Sequence, residues 1–336
     1  MRPFLGAFCA AFCLAVTITS TSLAARELRI SHQWPESDAR HRAARVFIAE
    51  LKKRVPDLTV SIHPNSSLKI KPVEQYDALL AGTIEMAIYP IAYASPKVPE
   101  MSIGGLPGVP SNFESAGLLK GTEFEDRLQQ LCEANGFRVV TWWWVGGGIA
   151  SRSRAVAGPE SVKGLSARGG DKVFDWMLAA AGASVQTMPS SEIRAAMEAD
   201  KLDVALTSLE SFMSFRVPEV AKFATLGGFG IFTVMTPLII SKRTYDGLND
   251  YERQAVEEAA TASNIYFEAT QREAEEAAMQ AFTKAGVKVQ SLSFEEYAAW
   301  LQVARGSSWK NYQSISPAAN DLFNAMLLSF INSDKR

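Results

Sequence analysis

The 336-residue sequence predicts an α/β fold of two lobes with a long helix bridging both. Three observations carry that reading. Strand and helix signals alternate from Glu27 to Tyr89, they alternate again from Lys163 to Leu206, and an unbroken helical pattern runs from Asp250 to Ala285. At 1.5 Å per residue that helix is about 50 Å long, whereas a 100-residue domain has a radius of gyration of only about 13 Å. It therefore outlasts one domain and should serve two.

In the first lobe, Glu27–Ser31 (ELRIS) reads as a strand and 32–35 as a loop. A helix follows, with Ala43, Val46, Phe47 and Leu51 on its apolar face and Arg40, Glu50 and Lys53 outside. Leu58 to Ile62 alternates as a strand, Val73 to Ala81 reads as a helix stopped by Gly82, and Ile84 to Tyr89 reads as a buried strand. Strand, helix, strand implies a parallel sheet with crossover helices. Ligands of such sheets sit beyond the carboxyl ends of the strands, which brings Gln33, Trp34 and the stretch Tyr89 to Tyr93 near any site.

Glu123 to Asn135 is the next helix, closed by Gly136, and Phe137 to Trp144 (FRVVTWWW) the next strand. Alternation sends Trp142 and Trp144 to one face and Trp143 to the other. Three adjacent tryptophans do not all fit one core, so at least one is expected at a cleft or lobe boundary, and Trp144 is the candidate. Gly146–Gly148 reads as the crossing between lobes, because glycine accepts backbone angles other residues avoid.

The second lobe continues with helices over 172–180 and 190–199 and a strand over 202–206. Thr207 and Ser208 close that strand, where hydroxyls and backbone N–H groups can face a ligand. Phe212 and Phe215 are candidates to wall the same space, although aromatics on a helix are core more often than pocket. The long helix opens on an Asn249-x-x-Glu252 cap and ends at Gly286. Its face of Val256, Ala260, Ser263, Phe267, Ala274, Ala278 and Ala281 is narrow and mostly small. A strand over 287–292 and a mostly helical stretch over 294–331, broken near Gly306 and Pro317, complete the chain.

The stretch PESVKGLSARGG, 159–170, sets Arg168 at the end of a short apolar run before two glycines. A guanidinium matches two carboxylate oxygens with a fixed fork of donors and keeps its charge where water is excluded. An interdomain cleft with Arg168 gripping a carboxylate is the expectation.

The N-terminus has the order of a secretory leader: Arg2, an apolar run from Phe4 to Ile18, and a small-x-small site ending at Ala24. Residues 1–24 are the expected signal peptide, with cleavage near Ala24 and export to the periplasm. Phe8 and Phe12 precede Cys9 and Cys13, against a lipid anchor. Only Cys132 lies beyond the leader, so no disulfide is available and stability must come from core burial. A net charge of −2 and the absence of a basic run with interleaved aromatics argue against a nucleic-acid partner. His32, His41 and His63 form no metal-ligand pair, and neither G-x-S-x-G nor a glycine-rich phosphate loop is present. Nothing assembles acid, base and nucleophile; a binding module is expected, not an enzyme, with no cofactor and no metal.

Several blocks resemble the DctP-type solute-binding subunits of tripartite ATP-independent periplasmic (TRAP) transporters: EQYDALLAGTIEMAI, NGFRVVTWWW, SRSRAVAGPESVKGLSARGG, PSSEIRAAMEADKLDVAL and the long helix after SKRTYDGLNDYERQAVEEAA. The resemblance implies the two-lobed periplasmic binding protein fold, closure on a small organic acid, and delivery to small and large membrane subunits. It places the family's carboxylate-gripping arginine on Arg168. Where sialic-acid-binding members carry a second arginine this chain has Gly148, where they carry an asparagine it has Thr207, and where they carry a tyrosine it has Arg194. Arg194 is either a replacement cation or an outward-facing arginine, the blander reading.

The implied ligand is a monocarboxylate with an apolar or aromatic body, held by Arg168 with Thr207, Ser208, Trp144, Gln33, Trp34, Tyr89 and Phe212. Lobe I is expected over 25–145 plus 234–270, and lobe II over 146–233 plus 271–336, in a monomer. The rival readings are a periplasmic protein presenting its ligand to a membrane sensor, and a periplasmic enzyme.

Overall fold

The computed structural model describes residues 27–333; the expected leader lies outside them. In chain order the strands are β1 (Glu27–Ser31), β2 (Thr59–His63), β3 (Met86–Ile88), β4 (Phe137–Val139), β5 (Trp144–Ser151), β6 (Ser166–Arg168), β7 (Ser184–Val185), β8 (Val204–Ser208), β9 (Phe223–Gly228), β10 (Thr233–Met235), β11 (Leu238–Ser241) and β12 (Lys288–Leu292). They form two sheets, one ordered β2-β1-β3-β11-β4 and one ordered β12-β9-β5-β8-β6-β7, with β10 paired to β5.

In the first sheet β1 runs parallel to β2 and to β3, as strand–helix–strand patterning requires. Its fourth strand, β11, comes from far along the chain and pairs antiparallel with both β3 and β4. In the second sheet β6 and β8 are parallel, with Arg168 opposite Ala205, so Arg168 and Thr207–Ser208 share one edge at the carboxyl ends.

The crossing between sheets falls earlier than the glycine run. β4 ends at Val139, the chain crosses over 140–143, and Gly146–Gly148 already lie inside β5. Those glycines serve close strand approach: Gly147 and Gly148 pair with Ser208 and Thr207. A Cβ at Gly148 would stand 2.6 Å from the Thr225 carbonyl oxygen, so the position accepts no side chain.

The long helix, Asp250–Lys284, opens on the capping box of Asn249 and Glu252, and Gly286 beyond it takes φ +81°. Its first half, through Val256, Ala260 and Phe267, packs into the core of the first sheet with Leu28, Phe47 and Val60. Its last turns, through Ala278 and Phe282, pack with Ala205, Phe212 and Leu226 of the second. One helix thus joins both cores. Near the C-terminus Gly306 does not break the helix; residues Arg305–Trp309 widen into a π turn, and the break falls before the final helix, Pro317–Ser333. That helix packs against Glu123–Ala134. No helix among the described residues is long and apolar enough to cross a membrane.

Candidate functional site

A small cavity lies between the two sheets' carboxyl edges. From the second lobe come Arg168, Asp171, Phe174, Ser190, Thr207, Ser208 and Ser211. From the segments that follow β1 and β3 come Trp34, Arg40 in the first turn of the helix Ala39–Arg54, and Tyr93, with Phe232 and Val234 closing a further side. Its volume, counted as room for the centre of a water molecule, is about 30 Å³. On that measure one water takes roughly 10–15 Å³, so the closed cleft admits a compact molecule.

Arg168 is only 2% exposed. Its Nε donates to the Met188 carbonyl at 3.1 Å, Nη1 to the Leu206 carbonyl at 2.7 Å, and Nη2 to the Tyr93 hydroxyl at 3.3 Å. A guanidinium has five N–H groups, so one remains on each terminal nitrogen. No carboxylate among the described residues is within ion-pairing distance of it. The Tyr93 oxygen also accepts from Ser190 N at 3.2 Å. Both contacts use the hydroxyl as an acceptor, which leaves its proton to donate.

A second guanidinium, Arg40, lines the same cavity but is neutralised. Nε and Nη2 each donate to an Asp38 carboxylate oxygen at 2.8 Å, in a pair whose side chains are 1% and 0% exposed. Burial opposes ionisation of Asp38, yet the Arg40 charge and hydrogen bonds from Arg40 and Ser214 hold its carboxyl below the usual carboxylate range. Arg40 also stacks over the Trp34 ring at 3.8 Å.

Contacts from this group reach across the cleft. Trp34 Nε1 donates to Ser211 Oγ at 3.1 Å, Arg40 Nη2 to the same oxygen at 3.2 Å, and Ser214 Oγ to Asp38 Oδ2 at 2.6 Å. Ser208, Ser211 and Ser214 recur every third residue, with Ser208 capping the helix Leu209–Ser214. These bonds bring the lobes together over the cavity.

Of the residues expected from the sequence, the structure brings Arg168, Thr207, Ser208 and Trp34 to this cavity. Gln33, Tyr89, Trp144 and Phe212 are not among its lining residues. Gln33 and Tyr89 are buried outside it, with Tyr89 edge-on to Tyr93 at 6.0 Å between ring centroids. Phe212 turns away into the core against Phe282. Trp144 lies with Trp142 and Trp143 along a separate groove beside the long helix, lined also by Phe267 and Arg272. Arg194 pairs with Glu198 at 2.9 Å and Glu219 at 2.7 Å and faces outward. Cys132 is fully buried, its thiol pushed up by that burial, close to Met101.

Sequence reasoning missed Arg40, which it set on the solvent face, and Asp38 and Asp171. The available signal for Arg40 was its place two residues after a capping aspartate, where a guanidinium can fold back on that side chain.

Comparison with known proteins agrees with this geometry. Residues 30–314 match the DctP family, described as bacterial extracellular solute-binding protein, family 7. A solute-binding protein of Albidiferax ferrireducens is 38% identical over 293 residues, 85% of this chain and 86% of that one. The C4-dicarboxylate-binding periplasmic protein DctP of Rhodobacter capsulatus is 28% identical over 308 residues, 90% of this chain and 91% of that one. The crystal structure of a TRAP periplasmic solute-binding protein from Rhodoferax ferrireducens with bound malonate superposes with a TM-score of 0.88 at 34% identity, covering 91% of this chain and 99% of that one. Two sheets bridged by one helix, an arginine at the strand ends between them, and a match along nearly the whole described chain place this protein in the DctP family of TRAP periplasmic solute-binding proteins.

Proposed function

We propose that this chain captures a compact monocarboxylic acid between its lobes, with the carboxylate on Arg168, and hands it to the membrane subunits of a TRAP transporter after export to the periplasm. As a member of a solute-binding family it is a binding protein and not an enzyme. The observation that carries the ligand reading is the buried Arg168 fork, with two free N–H groups and no acidic partner among the described residues. A buried charge is costly unless paired, and an entering carboxylate supplies the pair.

Local charge favours one carboxylate. Arg40 is matched by Asp38. Burial pushes the Asp171 carboxyl well above the ordinary range, against the pull of Arg168, and so favours its neutral form. Among the cavity-lining residues Arg168 is then the cation without a paired carboxylate; nearby Asp175 feels its charge, but burial raises that carboxyl to about 6. The Tyr93 hydroxyl can donate to the same carboxylate, while Trp34, Phe174, Phe232 and Val234 take the apolar body. Burial of that body contributes about 25 cal/mol per Å² before the costs of association. Exclusion of water strengthens the ion pair, and the ligand drives closure by binding the closed form better than the open one.

The malonate held by the Rhodoferax relative supports a small acid over a long one, in keeping with the cavity volume. A dicarboxylate is the second reading, favoured by that relative's malonate, itself a dicarboxylate, and by Arg40 at the cavity wall, but opposed by the occupation of the Arg40 fork. Thermal-shift screening of mono- and dicarboxylates followed by calorimetry tests the choice. Compact monocarboxylates should dominate the hits; a list led by sugar acids or dianions refutes the reading.

A further inference from the structure

Asp171 is the group at the cleft that a single ion pair leaves unexplained. It caps the helix Lys172–Ala180, and Oδ1 accepts from Phe174 N at 3.3 Å. That role uses one oxygen. Oδ2 has no hydrogen-bond partner, although the residue is only 8% exposed and lines the cavity beside Arg168. A buried polar atom without a partner is disfavoured, so the arrangement points to an incoming one.

The surroundings bury this oxygen without giving it a polar partner, and no side chain occupies the space beside it. Gly105 lies next to it, and a Cβ there would stand 3.4 Å from Oδ2 and 3.3 Å from both Phe174 and Val234. Gly170, at φ +106°, folds the chain so that Arg168 and Asp171, three residues apart, line one cavity.

We propose that Asp171 selects for a hydroxyl group, so that the ligand is a compact 2- or 3-hydroxy monocarboxylate whose hydroxyl bonds to Oδ2 while its carboxylate occupies Arg168. The inference rests on the Arg168 reading and adds a second contact to it. A hydroxyl serves either protonation state of Asp171, donating to a carboxylate or accepting from a carboxylic acid. An ammonium would need Asp171 ionised, which its burial opposes.

The test is calorimetric titration of matched pairs, lactate against propionate and 3-hydroxybutyrate against butyrate, with the wild type, Asp171→Ser and Arg168→Met. Serine preserves the helix cap but is too short to replace the carboxyl in the cavity, and melting curves check that the variant is folded. For the wild type at least one hydroxy acid should bind about tenfold or more tighter than its partner, the scale of one buried hydrogen bond. In Asp171→Ser that ratio should fall to near one.

Equal affinity within both pairs for the wild type, retention of the ratio in folded Asp171→Ser, or binding by none of the four acids overturns the proposal. Failure of the underlying reading shows separately, as Arg168→Met retaining wild-type affinity for whichever acid binds.

Discussion

Replacing Arg168 with methionine gives the most direct test of how the cleft works, because capture and stability should respond differently. Methionine keeps much of the length and apolar volume but removes the charge and three hydrogen bonds, to Met188, Leu206 and Tyr93. Truncating one partner of a buried, hydrogen-bonded charge pair costs about 2–5 kcal/mol of binding, which is roughly 30- to 5,000-fold in Kd. The folded protein without ligand loses less, since it also sheds the burden of a buried cation with no acidic partner among the described residues. Calorimetry with the best acid from the screen should therefore show binding lost or weakened by at least about 30-fold. The melting temperature of the ligand-free variant should stay close to wild type, and the ligand-induced rise should disappear. Binding within about threefold of wild type, well under 1 kcal/mol, would refute the assignment of the carboxylate to Arg168.

Asp38→Asn should destabilise the protein by about 3–5 kcal/mol in urea denaturation, because it leaves Arg40 buried without its counter-charge. Gly148→Arg should not supply a second ligand-binding cation; its Cβ meets the Thr225 carbonyl, and a loss of about 1–3 kcal/mol or more is expected by the same denaturation assay. His32 is fully buried, and burial, reinforced by His41, lowers its pKa to about 3. The unfolded chain binds that proton near pH 6.5 and the folded one does not, so this group's contribution to stability falls as pH drops from about 6.5 to 3, by at most about 1.4 kcal/mol per unit. The difference in melting temperature between wild type and His32→Asn should narrow or reverse over that range; a constant difference contradicts the burial argument. Asn249→Ala should cost about 1 kcal/mol through loss of the cap on the long helix, measurable by denaturant titration.

What the sequence revealed followed the range of the forces involved. Local patterning was enough for the strands at Glu27–Ser31 and Thr59–His63, and for the long helix with its cap, because propensity, periodicity and capping agree there. Strand ends located Arg168, Thr207 and Ser208, since parallel topology fixes where a cleft opens. Arg40 was misplaced because its contact with Ser211 lies 171 residues away and helical periodicity set it outside, although Asp38 two residues before it was a local signal. The glycine run misled for a related reason: whether glycine marks a bend or a close strand contact is decided by the neighbouring strand, here β8. Phe212 and Trp144 were placed by proximity in sequence to the cleft, and their side chains follow packing instead, into the core with Phe282 and along the long helix.

The crossing over 140–143 does not run alone. Thr236 N bonds to the Trp143 carbonyl at 2.8 Å, Val140 N to the Leu238 carbonyl at 2.9 Å, and Leu238 N to Thr141 Oγ1 at 2.8 Å. Two laced ribbons plus one rod therefore tie the halves together, which resists sliding and twisting while leaving a bend across the ribbons comparatively free. The lacing also makes each half dependent on the other's stretch of chain: a fragment stopping at residue 145 would lack β11, the strand that sits between β3 and β4. Cutting the gene in two should thus yield insoluble pieces, whereas mixing the pieces during refolding has a route back to the whole.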